Sequence, residues 1–287
     1  GNTTTNSITV GAATSPAKTL DVRGTSLMSG NSSVSGTFTV SNNFAVEDDS
    51  SKLIDTSLVS NKIIFGGRVA DSTTNAPYEV AYEKAIISAT DSNIYSTGSV
   101  IVGGSGHTIS GDFDVIAGGV KNNISGSNFA FIGGGSGLDV NNSTYSSSIG
   151  GYNNDIDLAD YSIIGGGFNN NITGNPGGFL GGGYQNVISG TAGAIAGGVL
   201  NKITGGGWSF IGGGEANVIT STLGSILGGE GNEVNGDSAS IAGGDSNHAS
   251  GQYSFIGGGL SNKASGDYSY AFGRKAMVNS GHSGAAV

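Results

Sequence analysis

The sequence predicts an all-β protein, a β-solenoid in which short coils stack along one axis. Glycine supplies 55 of the 287 residues, proline only 3 and cysteine none, a composition that fits neither collagen nor a proline-rich linker. From position 101 onward, an aliphatic residue followed by glycines recurs about every 15–16 residues. A unit of this length is too short for a pair of helices. It fits two short strands joined by two turns, which enclose an interior only when units stack.

The recurring aliphatic residue is predicted to fill the interior of each coil. It is assigned to Ile101, Ile116, Ile132, Ile149, Ile164, Leu180, Ile195, Ile211, Ile226, Ile241 and Ile256, with Ala271 ending the series. The steps are 15 or 16 residues except for one of 17, between Ile132 and Ile149. A small residue two positions earlier, such as Ala130 or Ser162, suits a thin interior. About twelve coils would form a rod roughly 55–60 Å long at ~4.8 Å per coil.

An asparagine returns six positions after the interior residue in most units. This column contains Asn122, Asn170, Asn186, Asn201, Asn217, Asn232, Asn247 and Asn262. Stacked side-chain amides can hydrogen-bond from coil to coil as a ladder. Asparagine also tolerates the left-handed turn conformation, and the two interpretations are compatible. The glycine pairs after the first strand and the Ser-Gly or Thr-Gly steps after the second are predicted turns.

Aromatic and aliphatic residues form two further columns on the outer side of the first strand. One lies one position before the interior residue and contains Phe131, Ile163, Phe179, Phe210, Phe255 and Tyr270. The other lies three positions before it and contains Phe113, Phe129, Tyr161, Trp208, Tyr253 and Tyr268. An exposed apolar stripe of this length exceeds the patch size that soluble monomers tolerate. We therefore expect other chains to cover it and the protein to be an oligomer.

Charge and hydropathy disfavour two classes of partner. The formal net charge of −10 argues against nucleic acid, because phosphate contacts need clustered Lys and Arg. No run approaches 18 apolar residues, so membrane insertion is not expected.

Few residues have the spacing of a metal site. His107, His248 and His282 show no metal-ligand spacing, and the first two are expected near turns as solvated polar residues. The segment GGSGLDV (134–140) approaches the calcium-binding nonapeptide Gly-Gly-x-Gly-x-Asp, but the nine-residue period that gives the motif its meaning is absent. We therefore expect no metal and no cofactor.

Carboxylates form one column, in which Glu215, Glu230 and Asp245 each directly follow a glycine pair. Neighbours on a roll would lie ~5 Å apart, a separation that retaining glycosidases also use. Regular stacking produces the same spacing without any catalysis. A solvated acidic stripe is therefore the preferred interpretation, a cation site comes second and catalysis last. The sequence thus predicts a non-enzymatic protein.

Two stretches resemble known families. Residues 240–278 (SIAGGDSNHASGQYSFIGGGLSNKASGDYSYAFGRKAMV) resemble the head repeats of trimeric autotransporter adhesins, whose units read roughly Ser-x-Ala-Ile-Gly-x-x-Ala-x-Ala-x-Gly. They are still more similar to the glycine-rich variant found in virion fibres and in large surface proteins with a C-terminal self-cleaving chaperone. Residues 14–40 (TSPAKTLDVRGTSLMSGNSSVSGTFTV) resemble shaft segments of the same fibres. The resemblance implies a homotrimer of left-handed β-rolls.

The chain divides into four predicted segments. Residues 1–45 suit a thin β shaft or linker, and residues 46–98 suit a small connector with a short helix near Tyr82–Ile87. Residues 99–279 form the glycine-rich roll, and residues 280–287 form a C-terminal tail.

The candidate receptor-binding residues lie where the repeat is least regular. The stretch 136–161 contains the longest step, and departures from a rigid repeat often map to loops on a binding face. The candidates are Tyr152, Asn153, Asn154 and Asp155, together with Phe168 and Tyr184 in the column of Tyr152. Exposed rings would stack on sugars or on a protein receptor, and the amides and carboxylate would bind hydroxyls. Alternatively, the rings pack against the connector, another subunit or the following coil.

The functional prediction is a structural fibre protein of a virion, a phage tail fibre segment that attaches to the host surface. Its predicted partners are two further copies, a host cell-surface glycan or protein, and other virion fibre or tail proteins. Two alternatives stay open. One is the head of a bacterial trimeric adhesin at the cell surface, and the other is a fibre-borne polysaccharide depolymerase.

Overall fold

A computed structural model of the chain describes residues 85–174 and 176–287. These residues form strands, bridges, turns and bends without a helix. The strands alternate between two parallel sheets, one of 14 strands and one of 13. The described chain is therefore all-β and winds into a β-solenoid of about thirteen coils, one more than predicted.

The first sheet contains the odd-numbered strands. They are β1 (Ala85–Thr90), β3 (Val100–Ser105), β5 (Val115–Ile116), β7 (Phe131–Ile132), β9 (Ser147–Ser148), β11 (Ile163–Ile164), β13 (Phe179–Leu180), β15 (Ala194–Ile195), β17 (Phe210–Ile211), β19 (Ser225–Ile226), β21 (Ser240–Ile241), β23 (Phe255–Leu260), β25 (Tyr270–Arg274) and β27 (Ala285–Ala286).

The second sheet contains the even-numbered strands. They are β2 (Asn93–Ile94), β4 (Thr108–Ile109), β6 (Asn123–Ser125), β8 (Asp139–Asn141), β10 (Asp155–Asp157), β12 (Asn171–Thr173), β14 (Val187–Ile188), β16 (Lys202–Ile203), β18 (Val218–Ile219), β20 (Glu233–Val234), β22 (His248–Ala249), β24 (Lys263–Ala264) and β26 (Met277–Val278).

The interior is a stack of single aliphatic residues from each sheet. Each short strand alternates an outward residue with a buried one, because successive side chains of a strand point to opposite faces. The predicted core residues of the first sheet are at most 1% exposed. They are Ile116, Ile132, Ile164, Leu180, Ile195, Ile211, Ile226, Ile241 and Ile256. In the second sheet Ile124, Ile156, Ile172 and their equivalents face them. Each core residue pairs with the core residue of the next coil, as Ile116 does with Ile132.

The assignment of Ile149 to the core is wrong. Ile149 is 52% exposed, whereas Ser148 is buried and pairs with Ile132 and Ile164. The glycine pair sets the register, because Gly151 needs a left-handed φ of +95° and its Cβ would lie 2.1 Å from the next coil's Gly167 carbonyl oxygen. With Ser148 in the core both steps become 16 residues, so the expected irregularity within 136–161 disappears.

The asparagine column forms a hydrogen-bonded ladder that is continuous from Asn170 to Asn262. The Asn217 amide donates to the carbonyls of Gly213 and Gly229, at 3.0 and 2.9 Å. Its Oδ1 accepts the backbone N–H of Asn232 at 3.0 Å. The residue with the left-handed φ is the one before each asparagine, for example Ala216 at +53°. The ladder therefore explains the asparagines, and the turn-conformation interpretation is wrong for them.

Three residues in this column differ from the sequence assignment. Asn154 belongs to the ladder once Ser148 is the core residue, and its Oδ1 accepts the Asn170 N–H at 2.9 Å. Leu138 fills one rung with an aliphatic side chain and is buried. His107 fills the rung between Ser92 and Asn122 and is also buried, so the solvated position expected for it is wrong. Its Nδ1 accepts the Asn122 N–H at 3.2 Å, as an asparagine Oδ1 would, and burial lowers its pKa.

The solenoid extends beyond the boundaries predicted for it. β1 pairs with β3, so residues 85–98 of the expected connector already belong to the first coil. A helix near Tyr82–Ile87 is contradicted at residues 85–87, which lie in β1, and residues 82–84 lie outside the described residues. β27 pairs with β25, so the expected tail contributes a strand. The predicted shaft, residues 1–45, lies outside the described residues.

Candidate functional site

The aromatic column predicted for receptor binding is present on the surface. Tyr152, Phe168 and Tyr184 form successive parallel bridges and are 52%, 39% and 41% exposed. Their ring centroids lie 5.2 and 5.4 Å apart, with interplanar angles of 7° and 13°. The three rings therefore form one face-to-face stack, in which Phe168 has both faces covered.

This stack limits what the rings can bind. A pyranose ring packs on an aromatic face, and the inner faces of the stack are already occupied by neighbouring rings. The column continues from Ser136 to Tyr152 at one end and from Tyr184 to Val199 at the other, so only the two terminal faces lack a ring neighbour. The stack consequently presents ring edges and tyrosine hydroxyls, not the flat platform for sugars that we expected.

The three polar candidates after Tyr152 do not act as one cluster. Asn153 lies at the surface and its amide donates to Asn169 Oδ1 at 2.8 Å. Asn154 is buried in the ladder, so it is not available to a ligand. Asp155 begins β10 in the second sheet, between Asp139 and Asn171. Of the six candidates, the structure brings together only Tyr152, Phe168, Tyr184 and Asn153.

The acidic column lies in line with the aromatic one. Parallel bridges connect Tyr184 to Val199, then to Glu215, Glu230 and Asp245, and the three carboxylates are exposed. One column therefore changes from aromatic to acidic along the rod. Among the residues that the structure describes, no group of three or more His, Asp or Glu is arranged to hold a metal ion. The GGSGLDV segment follows the ordinary coil, with Leu138 in the interior and Asp139 in β8.

The outward face of the first sheet is uncharged in the columns next to the core. The columns one position before, one position after and three positions before the core contain no charged residue between Gly98 and Phe272. Phe113, Phe129, Tyr145 and Tyr161 stack at the corner of the coil, with centroids 5.3, 5.0 and 5.3 Å apart. The second sheet instead presents Asp139, Asp155, Lys202, Glu233 and Lys263 in one column.

Two buried or half-buried carboxyl groups have raised pKa values that the sequence alone did not reveal. Asp114 occupies the column of small residues two positions before the core, and burial raises its pKa to about 7. Burial, followed by the charges of Asp139 and Asp157, raises the pKa of Asp155 to about 6. The sequence contains one signal for the burial of Asp114, because the other residues of its column are Ser, Ala and Gly. The pair Asp139 and Asp155 becomes visible only when the coils are placed in register.

Comparison with protein-family models and with curated proteins finds no match for this chain. Within the described residues, none of the elements is a helix with the length and hydropathy needed to cross a membrane.

Proposed function

We propose that this chain is a structural segment of a virion fibre, a homotrimeric left-handed β-roll of a phage tail fibre that attaches to the host surface. It acts without catalysis. Its partners are two further copies, neighbouring fibre or tail proteins, and a glycan or protein at the host surface.

One observation supports the proposal most strongly. The outward columns of the first sheet next to the core are uncharged and rich in aromatic residues along about twelve coils, while the second sheet carries the polar and charged residues of a solvated face. A large exposed apolar strip of this kind marks an interaction surface. A rod that is built from one repeated coil and associates along its length is suited to a fibre.

The proposed contact with the host uses the exposed edges of Tyr152, Phe168 and Tyr184. They are the most exposed rings of a column that becomes acidic further along the rod. Tyrosine hydroxyls and ring edges suit hydrogen bonding and edge contacts with a protein or a glycan.

Two measurements test the proposal. Sedimentation equilibrium should give three times the 28.2 kDa chain mass. Labelled wild-type protein should adsorb to cells of a susceptible bacterial strain, and Tyr152→Ala should reduce adsorption about tenfold or more while leaving the mass unchanged. Lys202→Ala, on the other sheet, is the matched control and should adsorb like the wild type.

Other outcomes would select a different function. A monomer of chain mass would overturn the fibre assembly. Adsorption to eukaryotic cells or matrix, with none to any bacterium, would favour the adhesin head. Release of reducing ends from purified capsular polysaccharide would favour the depolymerase.

A further inference from the structure

One set of glycines has no steric explanation within the chain itself. These glycines stand two positions after the core residue in successive coils, and we call them the glycine strip. They are Gly118, Gly134, Gly150, Gly166, Gly182, Gly197, Gly213, Gly228, Gly243 and Gly258.

The glycine that follows each member of the strip is explained by the fold. At Gly151 and Gly167, φ is +95° and +91°, a region that disfavours residues with a side chain. A Cβ at Gly167 would also lie 2.2 Å from the Gly183 carbonyl oxygen and 2.6 Å from the Asn170 amide nitrogen. A side chain at this position would therefore break the asparagine ladder.

No steric contact requires glycine in the strip, because a Cβ placed at any of its ten positions would find no atom closer than 3.8 Å. At six of them φ also lies outside the left-handed region, so the backbone accepts any residue: Gly118, Gly134, Gly150, Gly166, Gly197 and Gly228. The other four, Gly182, Gly213, Gly243 and Gly258, have φ between +131° and +159°, which itself favours glycine. Because glycine loses the most conformational freedom on folding, each of the six destabilises an isolated coil compared with alanine.

A molecule that approaches this backbone closely would explain the absence of side chains. The strip runs beside the aromatic residues Tyr152 and Tyr184 and continues beside Glu215, Glu230 and Asp245. A small ligand or glycan that recognises the aromatic column would require glycine only there. The occupant must instead contact every coil, at the ~4.8 Å spacing of the sheet. A second copy of this solenoid has that repeat.

The same chain also provides the complementary surface. Three positions before the core, each coil places a residue at its corner, and eight of these residues are large, uncharged and 47–67% exposed. They are Phe113, Phe129, Tyr145, Tyr161, Trp208, Leu223, Tyr253 and Tyr268, which we call the corner column. The corner column and the glycine strip lie five residues apart along the chain, so one copy offers both surfaces.

We propose that the corner column of one copy packs on the glycine strip of the next copy, coil against coil with both rods parallel. This interface joins two different patches, and such a heterologous contact forms a closed ring when the rotation between copies closes, as it does in a trimer. The inference rests on the proposed homotrimer and specifies which surfaces meet. It also accounts for the apolar corner rings, which the neighbouring backbone covers.

Cysteine cross-linking tests this arrangement directly, because the chain contains no cysteine. Tyr145→Cys is combined with Gly150→Cys, and separately with Gly134→Cys or Gly166→Cys to allow for a shift of one coil. Disulfide formation needs Cα atoms within about 7 Å. A disulfide within one chain leaves the band at monomer mass, so a covalent trimer reports links between chains. After oxidation, at least one of the three double variants should run as a covalent trimer on a denaturing gel.

The controls use the same cysteines. Each single variant should stay monomeric on the gel, and a mixture of Tyr145→Cys and the matching glycine variant should give dimers. Gly150→Cys combined with Lys202→Cys, on the second sheet, should stay monomeric.

Three results would overturn the inference. Dimers from Gly150→Cys alone would show that two strips face each other. A wild type that sediments as a trimer, with all three double variants uncross-linked, would place the interface elsewhere and leave the proposed fibre intact. A wild-type monomer would overturn both this interface and the proposed fibre. Covalent trimers that fail to adsorb to any cell would overturn only the proposed attachment to the host.

Discussion

The carboxyl group of Asp114 accepts the backbone N–H of Ala130 in the next coil, at 2.7 Å, inside the solenoid. In other coils a serine hydroxyl makes this contact, as Ser162 does with the Gly178 N–H at 2.9 Å. The second oxygen of Asp114 has no hydrogen-bond partner within the described residues. The neutral, protonated form of the Asp114 carboxyl group is therefore more stable at this buried position than the charged form.

The first prediction concerns the pH dependence of stability. The folded pKa of Asp114, about 7, lies above its ordinary value of 3.8, so folding takes up a proton between these pH values. The stabilisation is fully present below pH ~4 and is lost as the pH rises through 7, by about 2–4 kcal/mol. In Asp114→Ser and Asp114→Asn the free energy of unfolding, measured by urea titration, should decrease less between pH 4 and pH 8 than in the wild type. The same decrease in both variants as in the wild type would contradict the raised pKa of Asp114.

The second prediction concerns the half-buried aspartates of the second sheet. Asp155 lies between Asp139 and Asn171 in adjacent coils, and its pKa of about 6 is raised by burial and by neighbouring carboxylates. Asp155→Asn should stabilise the protein at pH 7 by about 1–2 kcal/mol, with the gain disappearing near pH 3. Thermal unfolding at both pH values measures this. Equal stabilisation at the two pH values would point to a packing effect instead of a charge effect.

The third prediction concerns the core. Ile211 is fully buried and stacks between Ile195 and Ile226. Ile211→Asp would bury an unpaired carboxylate in a coil whose stability depends on both neighbours, and should cost several kcal/mol, about 4 or more. Ile211→Val, which keeps the shape, should cost only about 1 kcal/mol. Urea titration compares the two, and similar midpoints for both variants would mean that the core position is misassigned.

The fourth prediction concerns the ladder. Asn217→Ala removes the donor to the Gly213 and Gly229 carbonyls and the acceptor for the Asn232 N–H. Leaving these buried groups unpaired should cost about 2–4 kcal/mol. Asn153→Gly suits the left-handed φ of +55° at this position and removes only a surface amide contact, so it is expected to change stability by no more than about 0.5 kcal/mol. If the two variants unfold at the same temperature, the ladder contributes no more than the surface contact.

Much of the architecture follows from the residues alone. A period of about 15–16 residues with one aliphatic position specifies a solenoid, because such a unit has no other way to bury apolar surface. The core from Ile116 to Ile256 and the asparagine column follow from the same spacing. Ile149 misled the assignment because hydropathy alone favours isoleucine over Ser148 for a core position.

The register between coils and its consequences could be read only from the folded chain. Stacking places Asp114 in the interior and His107 in the ladder, although composition and hydropathy favour solvent for both. It turns Tyr152, Phe168 and Tyr184 into a closed stack whose faces cover one another. Register also separates the two glycines of each pair, one required by the ladder and one facing open space. The physical reason is that each of these properties depends on a contact about 15 residues away, which coil stacking creates and local sequence does not contain.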